Sequence, residues 1–579
     1  LFGAVFFDTP HTGIVIAALR PGLADKSGIT VCLFAGSSIM NVDCSARTRC
    51  RMPLTLGLVV TIALSLLTGC RTGPLEYVRN GFKVGPNYAP PAAPVSETWI
   101  DYRNPELVNA PAYWDWWRVF RDPYLEMLVQ RAHQQNLTLR QAGFRIQEAR
   151  ARRAVAAGEL FPQFQQAYGS YQRRQISKET GITAGGGGGL PGAKRAFDVY
   201  TTGAQASWEL DFWGRFRRAI AAADAELDAS VENYDDVLVV LISDVAEAYI
   251  DLRVSQQRIR YARANAESQR GSLRLAEVRK KEGAASQLDV AQAMTNVAQT
   301  EAAIPQFEVD LRRAQNRLCV LMGMPPEDLS QLLDENVPIP VAPPQVAIGV
   351  PADLVRRRPD VRRAERLAAA QSERIGIAEA AMYPAFFING NIYVQSNELA
   401  NLFTPTATAG NIGPSFTWNL LNYGRIWNIT NAEEAVFLQR VAEYQNQVLV
   451  ASREAEDAIV GFLRAQEQAR ILRGGVEAAV EARDLTNELF RGGKADFDRV
   501  FVAERFLVQQ QDDLALAEGA IAANLVSLYR ALGGGWEIRL TDQDGAPLWI
   551  QPPQGRPTEA VPRPANPPVP MPEALPKPE

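Results

Sequence analysis

Cysteine and histidine are scarce in this 579-residue chain. The five cysteines are Cys32, Cys44, Cys50, Cys70 and Cys319, and the two histidines are His11 and His133. Cleavage ahead of Cys70 leaves Cys319 as the only free thiol, which excludes an intrachain disulfide framework. No Cys/His cluster of the kind that holds zinc can then form, and no metal or cofactor is expected. Dense Lys/Arg tracts are also missing and the formal net charge is −5, which argues against nucleic acid as a partner. The apolar run Leu54 to Leu67 has 14 residues, short of the about 20 that a spanning helix needs. No nucleophile or carboxylate pair stands out in a compact domain, so no catalytic residue is assigned. The many Asp, Glu and Arg of the long helical stretches read as solvated faces or ion pairs at helical spacing.

That short apolar run does fit an export signal. Arg47, Arg49 and Arg51 precede it, and it ends in Leu67-Thr68-Gly69-Cys70, which looks like a bacterial lipobox. Cys70 is expected to be lipidated after cleavage at Gly69. The chain opens on Leu, and a better start lies at Met40 or Met52. Residues 1–69 therefore read as an over-extended N-terminus and signal peptide. Residues 70–121 read as lipid anchor, tether and N-terminal packing segment, with Pro86 to Pro94 an extended tether. Residues 537–579 read as a Pro-rich, disordered tail.

Between these ends the chain is duplicated. Trp208-Glu-Leu-Asp-Phe-Trp-Gly-Arg215 returns as Trp418-Asn-Leu-Leu-Asn-Tyr-Gly-Arg425, 210 residues further on. Gly283 aligns with Gly493 and Val290 with Val500 at the same offset. A repeat of this length is a duplicated structural unit, here 122–336 and 337–536. Each unit predicts a helix opened by an acidic–Pro or Pro–acidic signal, about 122–158 and 351–382. Each then turns, after Phe161-Pro162 or Tyr383-Pro384, to a period of two. Phe386, Ile388, Ile392 and Val394 alternate with Asn389, Asn391 and Gln395. Ile412, Phe416, Trp418 and Leu420 alternate with Ser415, Thr417 and Asn419. The first unit alternates from Tyr200 to Leu210, and poorly over 163–173. Such strands suit half-buried strands of a soluble sheet. With an export signal, and no second strand set to pack against, they favour a transmembrane β-barrel. Asn389, Asn391, Ser415, Thr417 and Asn419 are then the lumen candidates. The hairpin connections run 177–196, with five glycines at 185–189, and 396–410. The glycine run lacks the Lys-Ser/Thr of a phosphate loop and reads as a flexible loop.

The remaining stretches are helical. Residues 215–281 hold no Pro and one Gly, and 425–491 hold no Pro, enough for about 100 Å each at 1.5 Å per residue. Leu238, Leu241, Val245, Ala248 and Leu252 repeat at three and four. Their equivalents Val448, Ala451, Ala455, Ala458 and Phe462 are also apolar, a coiled-coil seam. Each long helix turns at Gly283 or Gly493 and returns, with Ser286 and Asp496 placed to cap the returning helix. A kink is expected at Pro305. Four strands cannot close a membrane barrel, which needs at least eight; two copies supply eight and three supply twelve.

Together, Cys70, Lys83-Val-Gly-Pro-Asn-Tyr88, Trp116 to Pro123, the two Trp-to-Arg motifs, Arg357-Arg-Pro-Asp360 and the two Gly turns resemble the outer-membrane efflux protein family. The likeness is to the lipoprotein branch that pairs with resistance-nodulation-division pumps, and it covers about residues 83–536. It implies a homotrimer with a 12-stranded outer-membrane β-barrel and a periplasmic α-barrel of coiled-coil helices, a mixed α and β membrane protein with internal structural duplication. It implies a passive exit duct for drugs or other small molecules, with a periplasmic membrane-fusion adaptor, an inner-membrane pump and outer-membrane lipid as partners. Arg71 after Cys70 agrees with outer-membrane sorting. The helical tip, Gly283, Ser286, Leu288, Asp289, Val290, Gly493, Asp496, Asp498, Arg499 and Val500, is implied to face the adaptor and narrow to a gate. Asp289 and Arg499 are its charged candidates, although some members carry Asp where Arg499 stands. A non-pore coiled-coil scaffold anchored at the surface, and a lipoprotein cell-wall enzyme, are the alternatives.

Overall fold

The computed structural model describes residues 72–108, 114–175 and 196–540. Cys70 with its lipobox, the glycine-rich loop and the tail beyond residue 540 lie outside the described residues. A short helix, α1 (Pro74–Arg79), and a two-residue strand, β1 (Leu107–Val108), precede the duplicated units. The segment ahead of the first unit packs along the body on both sides of the extended stretch 86–94. Arg218, fully buried, donates from Nε to the Val84 carbonyl and from Nη2 to that of Gly85, both at 2.6 Å. The Thr72 hydroxyl donates to Glu379 Oε1 at 2.5 Å, and Gln445 Nε2 reaches the Ala92 carbonyl at 3.3 Å.

The first helix of each unit is broken in two where one continuous helix was expected. In the first unit α2 (Pro123–Gln135) and α3 (Leu137–Gly158) part at Asn136. Asp122 opens α2 as its Pro signal predicts, accepting from the backbone N–H of Tyr124 and Leu125. Asn136 leaves the helical region, with ψ 126°, and caps α3 by accepting from Leu139 N at 2.8 Å.

Strands β2 (Phe164–Gln175) and β3 (Ala196–Leu210) follow, then the 67-residue α4 (Arg215–Lys281) and its return α5 (Gln287–Leu321), which continues through Pro305. The second unit runs β4 (Val346–Ala347), α6 (Ala352–Arg357), α7 (Pro359–Ala380), β5 (Ala385–Ser396), β6 (Thr408–Thr417), α8 (Arg425–Arg491) and α9 (Phe497–Ala531). Here the break falls at Arg358, ahead of Pro359, where a helical backbone is disfavoured.

The two breaks are the same joint. Asn136 Nδ2 donates to the Leu321 carbonyl at 2.8 Å, and Arg358 Nη1 to that of Ala531 at 3.0 Å. Leu321 and Ala531 end the two return helices, so each broken helix restarts where the return helix of its own unit stops. Gly323 and Gly533, both at φ +72°, make the approach possible. A Cβ on Gly323 would sit 2.4 Å from the Gln135 carbonyl oxygen, and one on Gly533 would sit 2.9 Å from the Arg358 Cα. Arg358 also clasps Asp360 at 3.0 and 2.6 Å and pairs with Glu454 at 2.8 Å. Burial opposes the Asp360 charge, yet the Arg358 guanidinium holds its carboxyl below the usual range.

The Trp-to-Arg motifs explain themselves in the same way. Trp208 Nε1 donates to the Leu160 carbonyl at 3.1 Å and Trp418 Nε1 to that of Met382 at 2.9 Å, each pinning the end of a strand to the end of the preceding helix. Gly214 and Gly424, at φ +81° and +79°, then start the long helices from a left-handed residue. Strand β6 stops at Thr417, so Trp418, Leu420 and the lumen candidate Asn419 fall beyond it.

The seam residues Leu238 to Leu252 and Val448 to Phe462 are all buried in one core, with Trp116, Trp117 and Tyr529. Trp116 stacks on Tyr529 with centroids 5.5 Å apart. At the end of the second unit a 3-10 turn, Trp536–Leu540, closes on this core and Arg539 pairs with the fully buried Asp235 at 2.5 Å, so residues 537–540, read as the start of a disordered tail, are packed.

Candidate functional site

The four long strands form one antiparallel sheet in the order β2-β3-β5-β6. The register pairs Ser207 with Asn389 and Phe387 with Ser415, and on the other face Trp208 with Ile388 and Phe386 with Phe416. Because side chains alternate, the alternation read in each strand becomes two continuous faces. On one face the Ser207 hydroxyl donates to Asn389 Oδ1 at 2.6 Å, and Asn389 Nδ2 donates to the Ser415 hydroxyl at 2.8 Å. Gln205 Nε2 reaches Gln166 Oε1 at 3.1 Å and Gln395 Nε2 reaches the Thr201 hydroxyl at 3.2 Å. Asn391 Oδ1 accepts from Asn411 N at 3.1 Å. Asn389, Asn391, Ser415 and Thr417 thus share a polar, hydrogen-bonded face, and Asn419 does not join it. The other face carries Trp208, Phe386, Ile388, Ile392, Ile412 and Phe416.

At the far end of the helices both turns close with paired bonds across a left-handed Gly. Gly283 and Gly493 have φ +74° and +71°. Ala284 N donates to the Arg279 carbonyl at 2.7 Å and Lys494 N to that of Leu489 at 2.8 Å. A small apolar cluster of Ala276, Ala293, Phe490, Phe497 and Val500 holds the tip, with Val290 packed against it. Arg279 lies 4.5 Å over the Phe490 ring. Ser286 caps the returning helix as expected: it accepts from Asp289 N at 3.1 Å, while Asp289 Oδ2 accepts from Ser286 N at 2.7 Å. Asp496 holds the equivalent position but its side chain makes no cap bond. Asp289 and Arg499 are not paired with each other. The Asp289 carboxylate is committed to its capping box, and Arg499 is exposed and forms no ion pair among the described residues. Gln292 reaches Asp498 at 3.4 Å across the two hairpins, and Leu288 points outward.

One buried group escaped the sequence reading because charged residues on long helices look solvated. Glu504 of α9 is buried and accepts from the Ser272 hydroxyl at 2.6 Å and from Asn296 Nδ2 at 2.8 Å, tying α9 to α4 and α5. Burial pushes its carboxyl above the usual range, against the two hydrogen bonds and the Arg483 charge.

Known proteins share this arrangement. The family model described as "Outer membrane efflux protein" matches residues 128–324 and 350–534, one stretch within each repeat. Nodulation protein T of Rhizobium leguminosarum bv. trifolii is 29% identical over 79% of this chain and 95% of its own. The pyoverdine export outer membrane protein OpmQ of Pseudomonas aeruginosa is 30% identical over 73% of this chain and 87% of its own. Among solved structures, the outer-membrane channel OprN superposes with a TM-score of 0.71 at 31% identity, over 78% of this chain and 99% of that one. The two-faced sheet, the long helical hairpins and these matches agree: the chain belongs to the outer membrane efflux protein family and is an outer-membrane transport duct, not an enzyme.

Proposed function

We propose that three copies close into one duct that carries drugs or other small molecules from the periplasm to the exterior. The observation that carries this reading is the sheet. Its strands of 12, 15, 12 and 10 residues are long enough to cross a bilayer at a tilt, for which about 9–11 suffice. Its edges, β2 and β6, run in opposite directions, so β6 of one copy can pair antiparallel with β2 of the next. Such head-to-tail pairing closes a ring when the rotation permits. A 12-stranded barrel would put Asn389, Asn391, Ser415 and Thr417 on the lumen and Ile388, Ile392 and Phe416 toward lipid.

The helices support the same ring. Trp427, Leu438, Leu449, Val460 and Ile471 recur every 11 residues along α8 and are all exposed in the single chain. Eleven residues make nearly three whole turns, so these side chains form one slowly drifting stripe. A neighbouring copy is the natural cover. The helical tip, with Arg499 as its free charge, would narrow the periplasmic end and receive a membrane-fusion adaptor driven by a resistance-nodulation-division pump. Cys70 would carry the lipid anchor. Planar-bilayer recording tests the duct: stable single-channel conductance that rises in Arg499→Ala is expected. Absence of conductance from a folded, membrane-inserted protein would contradict it.

A further inference from the structure

The strap ahead of the first unit holds an apolar surface that the duct does not use. Leu75, Val78 and Phe82 are 86%, 57% and 55% exposed, side by side on α1 and the turn after it. That turn is built to present them. Gly81 and Phe82 are both left-handed, at φ +68° and +60°, and an aromatic residue there is strained. Phe82 N donates to the Tyr77 carbonyl at 2.9 Å. Arg217 fixes the strained turn, donating to the Gly81 carbonyl at 2.8 Å and to that of Phe82 at 2.7 Å, while its Nε bonds Asp211 at 2.8 Å.

The rings beside α1 lead to the sheet. Phe82 meets Tyr77 edge-on at 5.5 Å, Tyr77 stacks on Phe212 at 6.4 Å, Phe212 contacts Phe386 at 5.3 Å, and Phe386 contacts Phe416 at 6.3 Å. The Tyr77 hydroxyl bonds the Phe212 carbonyl at 2.7 Å. Phe386 and Phe416 belong to the apolar face of the sheet, at the ends of β5 and β6 that join the helices. The apolar surface of α1 is therefore a continuation of that face past the foot of the strands. Aromatic rings with one polar end suit the boundary between acyl chains and headgroups. In the sequence, Cys70, the expected lipid-bearing residue, stands two positions ahead of Thr72.

We infer that α1 and Phe82 form a membrane-resting collar, with Leu75, Val78 and Phe82 set into the periplasmic leaflet of the outer membrane. The occupant of this surface is phospholipid. The collar would fix the strap at the membrane level independently of acylation, and through Arg218 and Glu379 hold the tops of α4 and α7 in place. The inference rests on the sheet being a lipid-embedded barrel.

The test uses the full-length protein in vesicles of phosphatidylethanolamine and phosphatidylglycerol. Leu75→Cys or Val78→Cys is labelled with a polarity-sensitive fluorophore, with Ile392→Cys on the sheet and Leu288→Cys at the helical tip as references. The protein without an introduced cysteine sets the background, since Cys319 is fully buried. The collar predicts quenching at Leu75 and Val78 by lipids spin-labelled near the headgroup, with protection from iodide, while Ile392 is quenched by lipids spin-labelled along the acyl chain. Iodide quenching at both positions to the level of Leu288, while Ile392 is quenched by lipid, would overturn the collar and leave the barrel standing. Loss of lipid quenching at Ile392 itself would overturn the barrel and the collar with it.

Discussion

The two long helices have the same length and begin and end at equivalent residues, yet they are covered differently. Val239 and Ile250 of α4 are 4% and 2% exposed, whereas their equivalents in α8, Leu449 and Val460, are 54% and 41% exposed. The difference lies in what packs on them. Val254 and Ile250 close on Gly519 of α9, where a Cβ would sit 2.3 Å from Val254. The position equivalent to Gly519 is Val309 of α5, which is exposed. Within the chain, then, the long helix of the first unit packs on the return helix of the second. The long helix of the second unit and the return helix of the first, each packed within its own unit, make no matching contact with each other among the described residues. In the proposed ring, the counterpart of this contact would be made by another copy: α8 of one chain against α5 of the next.

The largest effect that could break this comparison is a charge placed at equivalent positions. Ile250→Asp buries a carboxylate without a partner and should prevent the chain from folding, a cost of several kcal/mol. Val460→Asp should leave the helical content of the single chain intact by circular dichroism and abolish its assembly by native mass spectrometry. Equal loss of helix in both would mean that α8 is covered within its own chain.

The paired joints give the next contrast. Arg358→Ala removes a buried cation from Asp360 and the Ala531 carbonyl, and should cost about 3–5 kcal/mol by denaturant unfolding. Asn136→Ala loses a cap and one carbonyl bond at the equivalent joint and should cost about 1–2 kcal/mol. On the sheet, Ile392→Lys or Phe416→Lys should destabilise insertion by about 2–4 kcal/mol if it falls at mid-depth, while Asn389→Lys and Thr417→Lys are tolerated. Equal damage on both faces would mean the register is wrong.

At the tip the two units differ by one cap. Ser286→Ala should cost about 1 kcal/mol of local helix stability. Asp496→Ala should cost less, since the Asp496 side chain makes no cap bond. The smallest effect is one of pH. Because burial raises the Glu504 carboxyl in the folded state, the folded chain binds its proton more readily than the unfolded one. Stability from this group therefore rises as pH falls through the raised pKa and is lost above it. Glu504→Gln should flatten that dependence, measured as tip hydrogen exchange against pH.

Much of this was legible in the chain. The seam declared itself by its spacing of three and four, and the sheet by its period of two, because both depend on which side of an element faces the core. The helix joints were harder. Pro359 did disfavour a helical Arg358, but Asn136 has no neighbouring Pro or Gly, and its role depends on a carbonyl 185 residues away. The partners of the packing segment ahead of the first unit were hidden for the same reason, since Arg218 finds Val84 across 134 residues. Asp289 and Arg499 occupy equivalent positions in the two units, which suggested a pair. Position in a repeat does not report which backbone donor claims a carboxylate, and Asp289 is held by Ser286.

Disulfide trapping across the proposed α8–α5 contact tests the ring most directly. Val460→Cys and Val309→Cys, placed in one chain, take the positions equivalent to Ile250 and Gly519, which touch within the chain. Oxidation should link the chains into a covalent trimer on a denaturing gel, and neither single variant should form it. A double variant that stays monomeric after oxidation, although assembled and conducting, would contradict the packing of α8 on the neighbour's α5.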